Sequence, residues 1–177
     1  MKLTQSIRRL MKLCDPHCKK KKIPQHLHQN GRLADPSFDR NERIYIRFRE
    51  FEDNKPTLCD GKVSAAIFKT EKQSSNREKY SKSPTDVLFE TNGDHKFSWG
   101  IVELMSREIC ETTFPHPNTE TSYSFRVIHD PVQCMYPHSE IRIFENGNLV
   151  ESIKPKSVKN LIKYKWREIS SVLKKPS

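Results

Sequence analysis

Alternating apolar and polar positions predict several short strands in the middle of the chain. Ile44, Ile46 and Phe48 alternate with charged and polar residues, and a period of two is typical of a half-buried strand. Asn146-Gly147 follows another alternating segment and predicts a type I′ hairpin turn, because both residues accept positive φ angles. The pattern predicts about five mostly antiparallel strands, over residues 43–49, 63–68, 123–128, 140–144 and 149–153.

Apolar residues at steps of three and four predict three or four helices. The segment from Ile101 to Ile109 has this spacing. Ser83-Pro84, followed by Asp86, is a typical start for a short helix, since serine caps free amides and proline fits the first turn. Two more helices are predicted near the chain ends, over residues 3–14 and 158–173.

Together these elements predict an α+β fold, with a small, mostly antiparallel sheet of about five strands and three or four helices. Residues 1–40 are interpreted as a basic N-terminal helix and arm, and residues 41–177 as a single domain that ends in a basic amphipathic helix. No segment has the roughly 20 apolar residues that a membrane span requires, and no secretory signal is recognisable. The five cysteines are an odd, irregularly spaced set, which is atypical of a disulfide framework. We therefore expect a cytoplasmic protein without membrane contact.

The positive charge of the chain is concentrated at its two ends. The formal net charge is +10 at pH 7, with +7 in residues 1–40, +6 in residues 151–177 and −3 between them. Basic ends of this kind bind phosphates or an acidic protein surface, although no helix-turn-helix, zinc-finger or aromatic RNP pattern accompanies them. We predict contacts with nucleic acid or an acidic protein partner through Lys19, Lys20, Lys21, Lys22, Lys159, Lys163 and Lys165.

Two proline-bounded strand ends carry the residues best suited to proton transfer. His129 precedes an Asp-Pro pair, and His138 follows a proline and stands two residues before Glu140. An imidazole titrates near neutral pH, and a neighbouring carboxylate is able to fix its tautomer. His138 and Glu140 share one strand face because side chains alternate along a strand. We predict a catalytic group of His129, His138 and Glu140; polar turn residues that cap strand ends are the alternative.

Five further polar residues are candidate ligand contacts. Arg47 and Arg49 alternate with apolar residues, and the planar arginine fork pairs well with a phosphate or a carboxylate. A solvated sheet face with neighbouring glutamates as partners is the alternative. Small residues and hydroxyl groups around Ser64 and Ser75 would allow a ligand to approach closely. The predicted binding residues are Arg47, Arg49, Ser64, Ser75 and Arg77.

Motifs for cofactors and metals are weak in this chain. Neither a glycine-rich nucleotide loop nor a Gly-x-Ser-x-Gly elbow is present. Cys14, Cys18, His26 and His28 have the chemistry of zinc ligands, but their spacing is not that of a structural zinc site. We therefore expect no metal and no cofactor, with a site at these four residues as the alternative.

Several short motifs follow one another along the chain, namely Tyr45-Ile46-Arg47, Val63-Ser64-Ala65-Ala66-Ile67-Phe68, Ser81-x-Ser83-Pro84-x-Asp86-Val87-Leu88, His129-Asp130-Pro131 and Pro137-His138. Their order resembles a family of uncharacterised bacterial proteins of similar size. The resemblance covers about residues 43–145 and implies a prokaryotic origin and a site near the two histidines, but no activity.

Two functions follow from these features. The first is a small binding or accessory protein whose basic ends engage nucleic acid or an acidic partner, in a prokaryotic defence or mobile-element setting. The second is an enzyme for a phosphate-bearing substrate, such as a nucleotide or an ADP-ribose-like molecule, with arginine, serine, histidine and glutamate groups at its site. The sequence leaves the choice between binding and catalysis open.

Overall fold

The computed structural model describes residues 22–29, 32–49, 58–116, 118–132 and 135–177. The predicted N-terminal helix, Cys14, Cys18 and Lys19–Lys21 lie outside these ranges. The described strands are β1 Arg43–Phe48, β2 Leu58–Cys59, β3 Lys62–Val63, β4 Lys72–Arg77, β5 Gly100–Met105, β6 Thr113–Pro115, β7 Ser122–His129, β8 His138–Glu145, β9 Asn148–Val150 and β10 Ser171–Lys174. The described α-helices are α1 Ser106–Glu111 and α2 Lys156–Ile169.

Eight of these strands form one antiparallel sheet that curls into a half-barrel. Its strand order is β10-β5-β1-β4-β8-β7-β6. On one edge of β8, residues 138–142 pair with β4 and residues 143–145 pair with β9, while β7 runs along the other edge. β2 and β3 form a separate two-stranded ribbon. β8 is therefore hydrogen-bonded on both edges and holds its side chains in fixed register with those of β4.

The predicted fold class is wrong, because the chain is dominated by its sheet and is not an α+β arrangement of about five strands with three or four helices. Several individual elements are nevertheless confirmed. β1, β7 and β8 occupy predicted strand segments, and Asn146 and Gly147 make the predicted hairpin turn, with φ angles of 47° and 83°. The C-terminal helix is confirmed as α2, although it ends at Ile169.

The predicted helix from Ile101 to Ile109 is mostly a strand. β5 lies between β1 and β10, so both of its backbone edges are hydrogen-bonded, and most of its side chains are buried. A strand buried on both faces carries a nearly continuous apolar run, which contains helical spacings by chance. The helical part of this segment is α1, which begins at Ser106.

Two other predicted elements are interrupted by local hydrogen bonds. Ser64 accepts the backbone N–H of Ala66 at 3.3 Å and caps a 3₁₀ turn at Ala65–Ile67, so the predicted strand over 63–68 stops after Val63. Ser83 has the predicted capping box, but the turn that follows, Pro84–Leu88, is a 3₁₀ turn. Serine side chains thus set both turns.

The main hydrophobic core lies between the inner face of the sheet and α2. Val158, Ile162 and Trp166 recur at four-residue steps on α2 and are each at most 1% exposed. The ring of Trp166 meets that of Phe125 from β7 edge to face, with centroids 4.8 Å apart. None of the described helices is long and apolar enough to cross a membrane. Because the inner face is filled, a site has to lie on the outer face of the sheet or at its edges.

An extended segment packs against the end of the sheet where β4 and β7 end and where β1 and β8 begin. We call its described residues, 22–29 and 32–42, the arm. Leu27 is fully buried and packs with Met135, and its carbonyl accepts the N–H of Tyr136 at 2.7 Å. Near the other end of the arm, Glu42 forms an ion pair with Arg77. The arm is therefore built into the fold at both of its ends.

Candidate functional site

A row of side chains crosses the outer face of β1, β4 and β8. Tyr45 pairs with Asn76, and Asn76 pairs with His138. Side chains alternate along a strand, so these three residues and Arg47 project away from the core side chain of Ile46. Strand register therefore brings together polar groups that are far apart in the sequence.

These side chains border an open cleft of about 770 Å³, which we call the outer cleft. Its volume is within the range of roughly 300–1,000 Å³ that is typical of small-molecule sites. Its described apolar lining residues are Phe48, Ala66, Ile67, Val87, Phe89, Trp99, Val132 and Met135. Residues of both sheet faces line the cleft, because the pairing of β1 with β4 ends at Tyr45 and Asn76. The described charged and polar residues that line the cleft are Arg47, Arg49, Lys69, Gln73, Ser74, Ser75, Asn76, Glu90, Thr91, Asn92 and His138.

Asn76 is an unsatisfied polar residue in the outer cleft. Its side chain is 4% exposed, and its Nδ2 is buried without a hydrogen-bond partner among the described residues. An amide buried in this way costs about 1–3 kcal/mol, and native folds contain few of them. His95 Nδ1 is also unpartnered, but that ring packs against Phe89 and Phe97 and is not part of the cleft lining. The position of Asn76 therefore points to a ligand that completes its hydrogen bonding.

His138 lies beside Asn76 and has one ring nitrogen fixed. Nδ1 is 2.7 Å from the backbone oxygen of Asp130, and because a carbonyl only accepts, Nδ1 donates the proton. In the neutral ring Nε2 then carries the lone pair. The half-buried ring lines the outer cleft, so His138 is arranged to accept a hydrogen bond or a proton from a ligand.

The carboxylate of Glu140, the predicted partner of His138, is already paired with two cations. It is 3% exposed, and its two oxygens lie 2.7 Å from Lys72 Nζ and 2.9 Å from Arg142 Nη1. Asp130, His138 and Glu140 do bring one potential metal ligand each to within 4.8 Å of one another. The two cations beside Glu140 offset the carboxylate charge, however, which disfavours a divalent cation at this place.

Arg47 holds one side of the outer cleft in place. Its Nη1 donates to the backbone oxygens of Val87 at 3.4 Å and Phe89 at 3.1 Å, and its Nη2 lies 3.3 Å from Glu90 Oε1. Burial lowers the pKa of Arg47 below its ordinary value, and Glu90 opposes that shift. Arg47 therefore fixes the segment that follows the Pro84–Leu88 turn, and together with Arg49 it contributes positive potential to the cleft.

His129 lies inside the fold and is not part of the cleft lining. It is 4% exposed; its Nδ1 accepts the N–H of Asp35 at 2.8 Å, and its Nε2 donates to the backbone oxygen of Tyr136 at 2.6 Å. The ring also stacks on that of Tyr80, with centroids 5.1 Å apart. Since both nitrogens are engaged within the fold, we leave His129 out of the candidate site.

Acidification is expected to weaken the fold through His129. Burial lowers the pKa of His129 below its ordinary value of 6.5. The unfolded chain therefore takes up a proton at a higher pH than the native state does, and the free energy of unfolding falls as the pH drops below 6.5. Urea unfolding at about pH 7.5 and about pH 5.5 measures this loss, which should be smaller in His129→Gln than in the wild type.

The matched control for this prediction is His116→Gln. Nδ1 of His116 accepts a local N–H from Asn118, outside the contacts between arm and sheet. This variant should lose as much stability on acidification as the wild type. Equal losses in the wild type and in His129→Gln would contradict the prediction.

The other predicted binding residues are distributed over different parts of the fold. Ser75 Oγ lies 2.8 Å from Ser139 Oγ across β4 and β8, and Arg77 is fully buried beside the arm. Ser64 caps the Ala65–Ile67 turn. Of the predicted set, the structure brings four residues to the outer cleft, namely Arg47, Arg49, Ser75 and His138. It places Ser64, Arg77, His129 and Glu140 elsewhere.

The predicted partner-binding lysines differ in their surroundings. Lys159 and Lys165 form ion pairs with glutamates, at N–O distances of 3.0 and 3.2 Å. Lys163 is half-buried on α2 and forms no ion pair with a described residue. Lys22 is exposed at the start of the arm. A role of these lysines in binding nucleic acid or an acidic partner stays a prediction, for which Lys163 is the best placed.

Of the four alternative zinc ligands, the structure describes His26 and His28, and both form hydrogen bonds within the fold. His26 Nε2 lies 2.8 Å from Asp86 Oδ2, and His28 Nε2 lies 3.0 Å from the backbone oxygen of Ile23. Because a carbonyl only accepts, Nε2 of His28 carries a proton and is not free to ligate. The two remaining residues, Cys14 and Cys18, lie outside the described residues.

Comparisons with protein-family models, with curated proteins and with solved structures give no match. The resemblance to a bacterial family therefore stays a prediction. What can be said about function rests on the geometry of the outer cleft.

Sequence reasoning misses Asn76 and the apolar lining residues Val132 and Met135. The prediction that comes nearest to Asn76 is the close approach of a ligand around Ser75, which is the preceding residue. The available signal is the polar run over residues 72–77, which contains neither glycine nor proline and is therefore compatible with a strand.

Proposed function

We propose that the protein binds a phosphate-bearing small molecule of nucleotide-like size in the outer cleft. The observation that carries the proposal is Asn76 beside His138, because the buried Nδ2 of Asn76 has no hydrogen-bond partner among the described residues. The amide supplies an N–H donor, and Nε2 of His138 supplies an acceptor. Arg47 and Arg49 also line the cleft. Such a combination suits an anionic ligand that also carries hydroxyl groups.

The charged lining of the outer cleft supports an anion. Arg47, Arg49 and Lys69 are basic, and among the described lining residues Glu90 is the acidic one. Glu90 lies 3.3 Å from Arg47 Nη2 and 3.6 Å from Lys96 Nζ, so its charge is offset locally. Basic residues outnumber acidic ones among the described residues that line the cleft, which favours a phosphate or another anion there.

Asn76→Leu should separate ligand binding from stability. Leucine has nearly the shape of asparagine and removes a buried amide that has no partner, so the free energy of unfolding should stay unchanged or rise by about 1 kcal/mol. The variant should bind AMP about 10- to 100-fold more weakly, because a hydrogen bond to a charged group contributes roughly 1.5–3 kcal/mol. Titration calorimetry with AMP and inorganic phosphate measures binding, and urea unfolding measures stability.

The matched control is Asn148→Leu, which places the same substitution at an exposed position of β9. It should leave the affinity for AMP unchanged. A wild type that binds neither AMP nor phosphate would overturn the proposal. So would an Asn76→Leu variant that binds as well as the wild type, or one that loses stability together with binding.

Catalysis in the outer cleft is the second candidate function, and the fixed tautomer of His138 favours it. Because Nδ1 donates to Asp130, Nε2 is available as a general base toward a bound substrate. Hydrolysis of a bound dinucleotide that disappears in His138→Gln, while AMP still binds, would identify an enzyme. Binding without turnover would identify a binding protein.

The cellular setting is part of the same proposal. We place the protein in the cytoplasm, because five cysteines do not suit the disulfide framework of a secreted domain. A prokaryotic defence or mobile-element setting rests on the sequence resemblance and on the basic chain ends.

A further inference from the structure

A second recess adjoins the outer cleft beside α2. It has a volume of about 420 Å³ and is lined by residues 64–66 and by Asn160, Lys163, Tyr164 and Arg167; we call it the α2 groove. Ala66 lines the outer cleft and the α2 groove alike. The two recesses therefore meet at the Ala65–Ile67 turn, where small alanine side chains allow a ligand backbone to pass close to the protein.

The α2 groove continues the basic character of the outer cleft. Its charged lining residues are Lys163 and Arg167, and no acidic residue lines it among those described. Nε of Arg167 donates to the backbone oxygen of Val63 at 3.0 Å, which holds the guanidinium at the groove. Among the described residues that line the two recesses, five are lysine or arginine and one is a glutamate, Glu90, which pairs with Arg47.

An exposed aromatic ring stands at the α2 groove. Tyr164 is 62% exposed, next to Lys163 and three residues from Leu161, which is 53% exposed. Proteins that bind single-stranded nucleic acid combine a basic groove, which follows the phosphates, with aromatic rings on which bases stack. Trp99 and Phe89 supply further aromatic surface inside the outer cleft.

From this continuity we infer that the outer cleft and the α2 groove form one track for single-stranded nucleic acid. One nucleotide enters the outer cleft, and the adjoining phosphates and a base lie over the Ala65–Ile67 turn against Lys163 and Tyr164. The inference rests on the proposed function, because the nucleotide in the cleft is the phosphate-bearing ligand proposed above.

The shape of the track distinguishes a single strand from other anionic partners. In a duplex the base edges are already paired, so a single strand is the form that offers free base edges to Asn76 and His138 in the outer cleft. An acidic peptide would satisfy the cations, but it carries no bases to stack on an exposed tyrosine ring. A duplex and an acidic peptide therefore serve as the two competitors that test the inference.

Fluorescence anisotropy with labelled oligo(dT) and oligo(U) tests the track, and AMP titration tests the cleft separately. In the wild type an oligonucleotide should bind at least about tenfold more tightly than AMP, a difference of roughly 1.4 kcal/mol. Tyr164→Ala should weaken oligonucleotide binding by about 5- to 150-fold, as expected for the loss of one stacked base. Lys163→Gln should reduce the slope of log affinity against log salt by about 0.7, as expected for one phosphate contact. Both variants should bind AMP like the wild type.

Lys156→Gln is the matched control, because Lys156 is exposed on the same helix and is not part of the groove lining. It should bind oligonucleotides like the wild type. The inference would be overturned if AMP binds and oligonucleotides bind no more tightly. It would also be overturned if a DNA duplex or poly-glutamate competes as well as the single strand, or if Lys156→Gln weakens binding as much as Lys163→Gln. Failure of AMP to bind would instead overturn the proposed function itself.

Discussion

Arg77→Met is expected to lower the free energy of unfolding by about 3–5 kcal/mol, because it leaves Glu42 buried without its partner charge. Arg77 is fully buried, and its Nε and Nη2 lie 2.9 and 2.7 Å from the two carboxylate oxygens of Glu42. Its Nη1 and Nη2 also donate to backbone oxygens of Asp35 and Ser37, at 3.1 and 2.6 Å. Denaturation with urea or guanidinium chloride measures the loss.

Two further variants make this prediction specific to the buried pair. Arg77→Met combined with Glu42→Leu should recover part of the lost stability, since the second change removes the unpaired carboxylate. Arg43→Met breaks an ion pair between Arg43 and Glu78 whose arginine side chain is 48% exposed, and should cost less than about 1 kcal/mol. Equal losses in Arg43→Met and Arg77→Met would contradict the burial of the pair.

Trp166→Ala is expected to cost about 3–5 kcal/mol of stability, because it empties a large volume in a packed core. Trp166 is 1% exposed and lies on the buried face of α2, against Phe125 of β7. Loss of this side chain should loosen α2 from the sheet as well as lower the midpoint of thermal unfolding. Circular dichroism during heating follows the thermal midpoint, and circular dichroism at increasing urea concentration gives the free energy of unfolding.

The same helix offers a matched control two residues away. Tyr164 is 62% exposed, so Tyr164→Ala should change the free energy of unfolding by no more than about 0.5 kcal/mol. A cost below about 1 kcal/mol for Trp166→Ala would show that α2 does not pack on the sheet as described.

Local patterns predict those elements of this fold that carry one apolar face or a defined turn. The hairpin at Asn146-Gly147 depends on two residues that tolerate positive φ angles, and β1 and α2 each show one apolar face. These features are local, so a single sequence contains them. The C-terminal boundary of α2 is less local, since residues 171–174 leave the helix to pair with β5.

The central strand β4 could not be predicted from hydrophobic pattern. Its sequence is Lys72-Gln73-Ser74-Ser75-Asn76-Arg77, with no apolar residue to mark an inner face. Instead, the inner side is filled by polar contacts, such as the hydrogen bond between Ser75 and Ser139 and the arginine pair with Glu42. These partners are distant in sequence, and a run of polar residues normally indicates a loop.

The sequence predicts only part of the candidate site, because contacts between distant segments decide which of its residues face the cleft. His129 and His138 stand in similar proline-bounded contexts, but the arm closes over His129 through Asp35, and His138 lines the outer cleft. Sequence spacing places both histidines at strand ends, whereas only tertiary contacts decide which imidazole faces a ligand. Asn76 becomes notable once its amide is seen to lack a partner.

The arm also limits how many residues can be removed from the N-terminal side of the chain without loss of contacts in the fold. A chain that begins at residue 41 would lack Leu27, which packs beside Met135. It would also lack Asp35, whose backbone N–H donates to His129. The end of the sheet would then be open to water. Shortening the chain to remove its basic N-terminal residues is therefore best confined to the part before Ile23. A fusion partner attached directly before Ile23 would begin close to Met135, at the edge of the outer cleft.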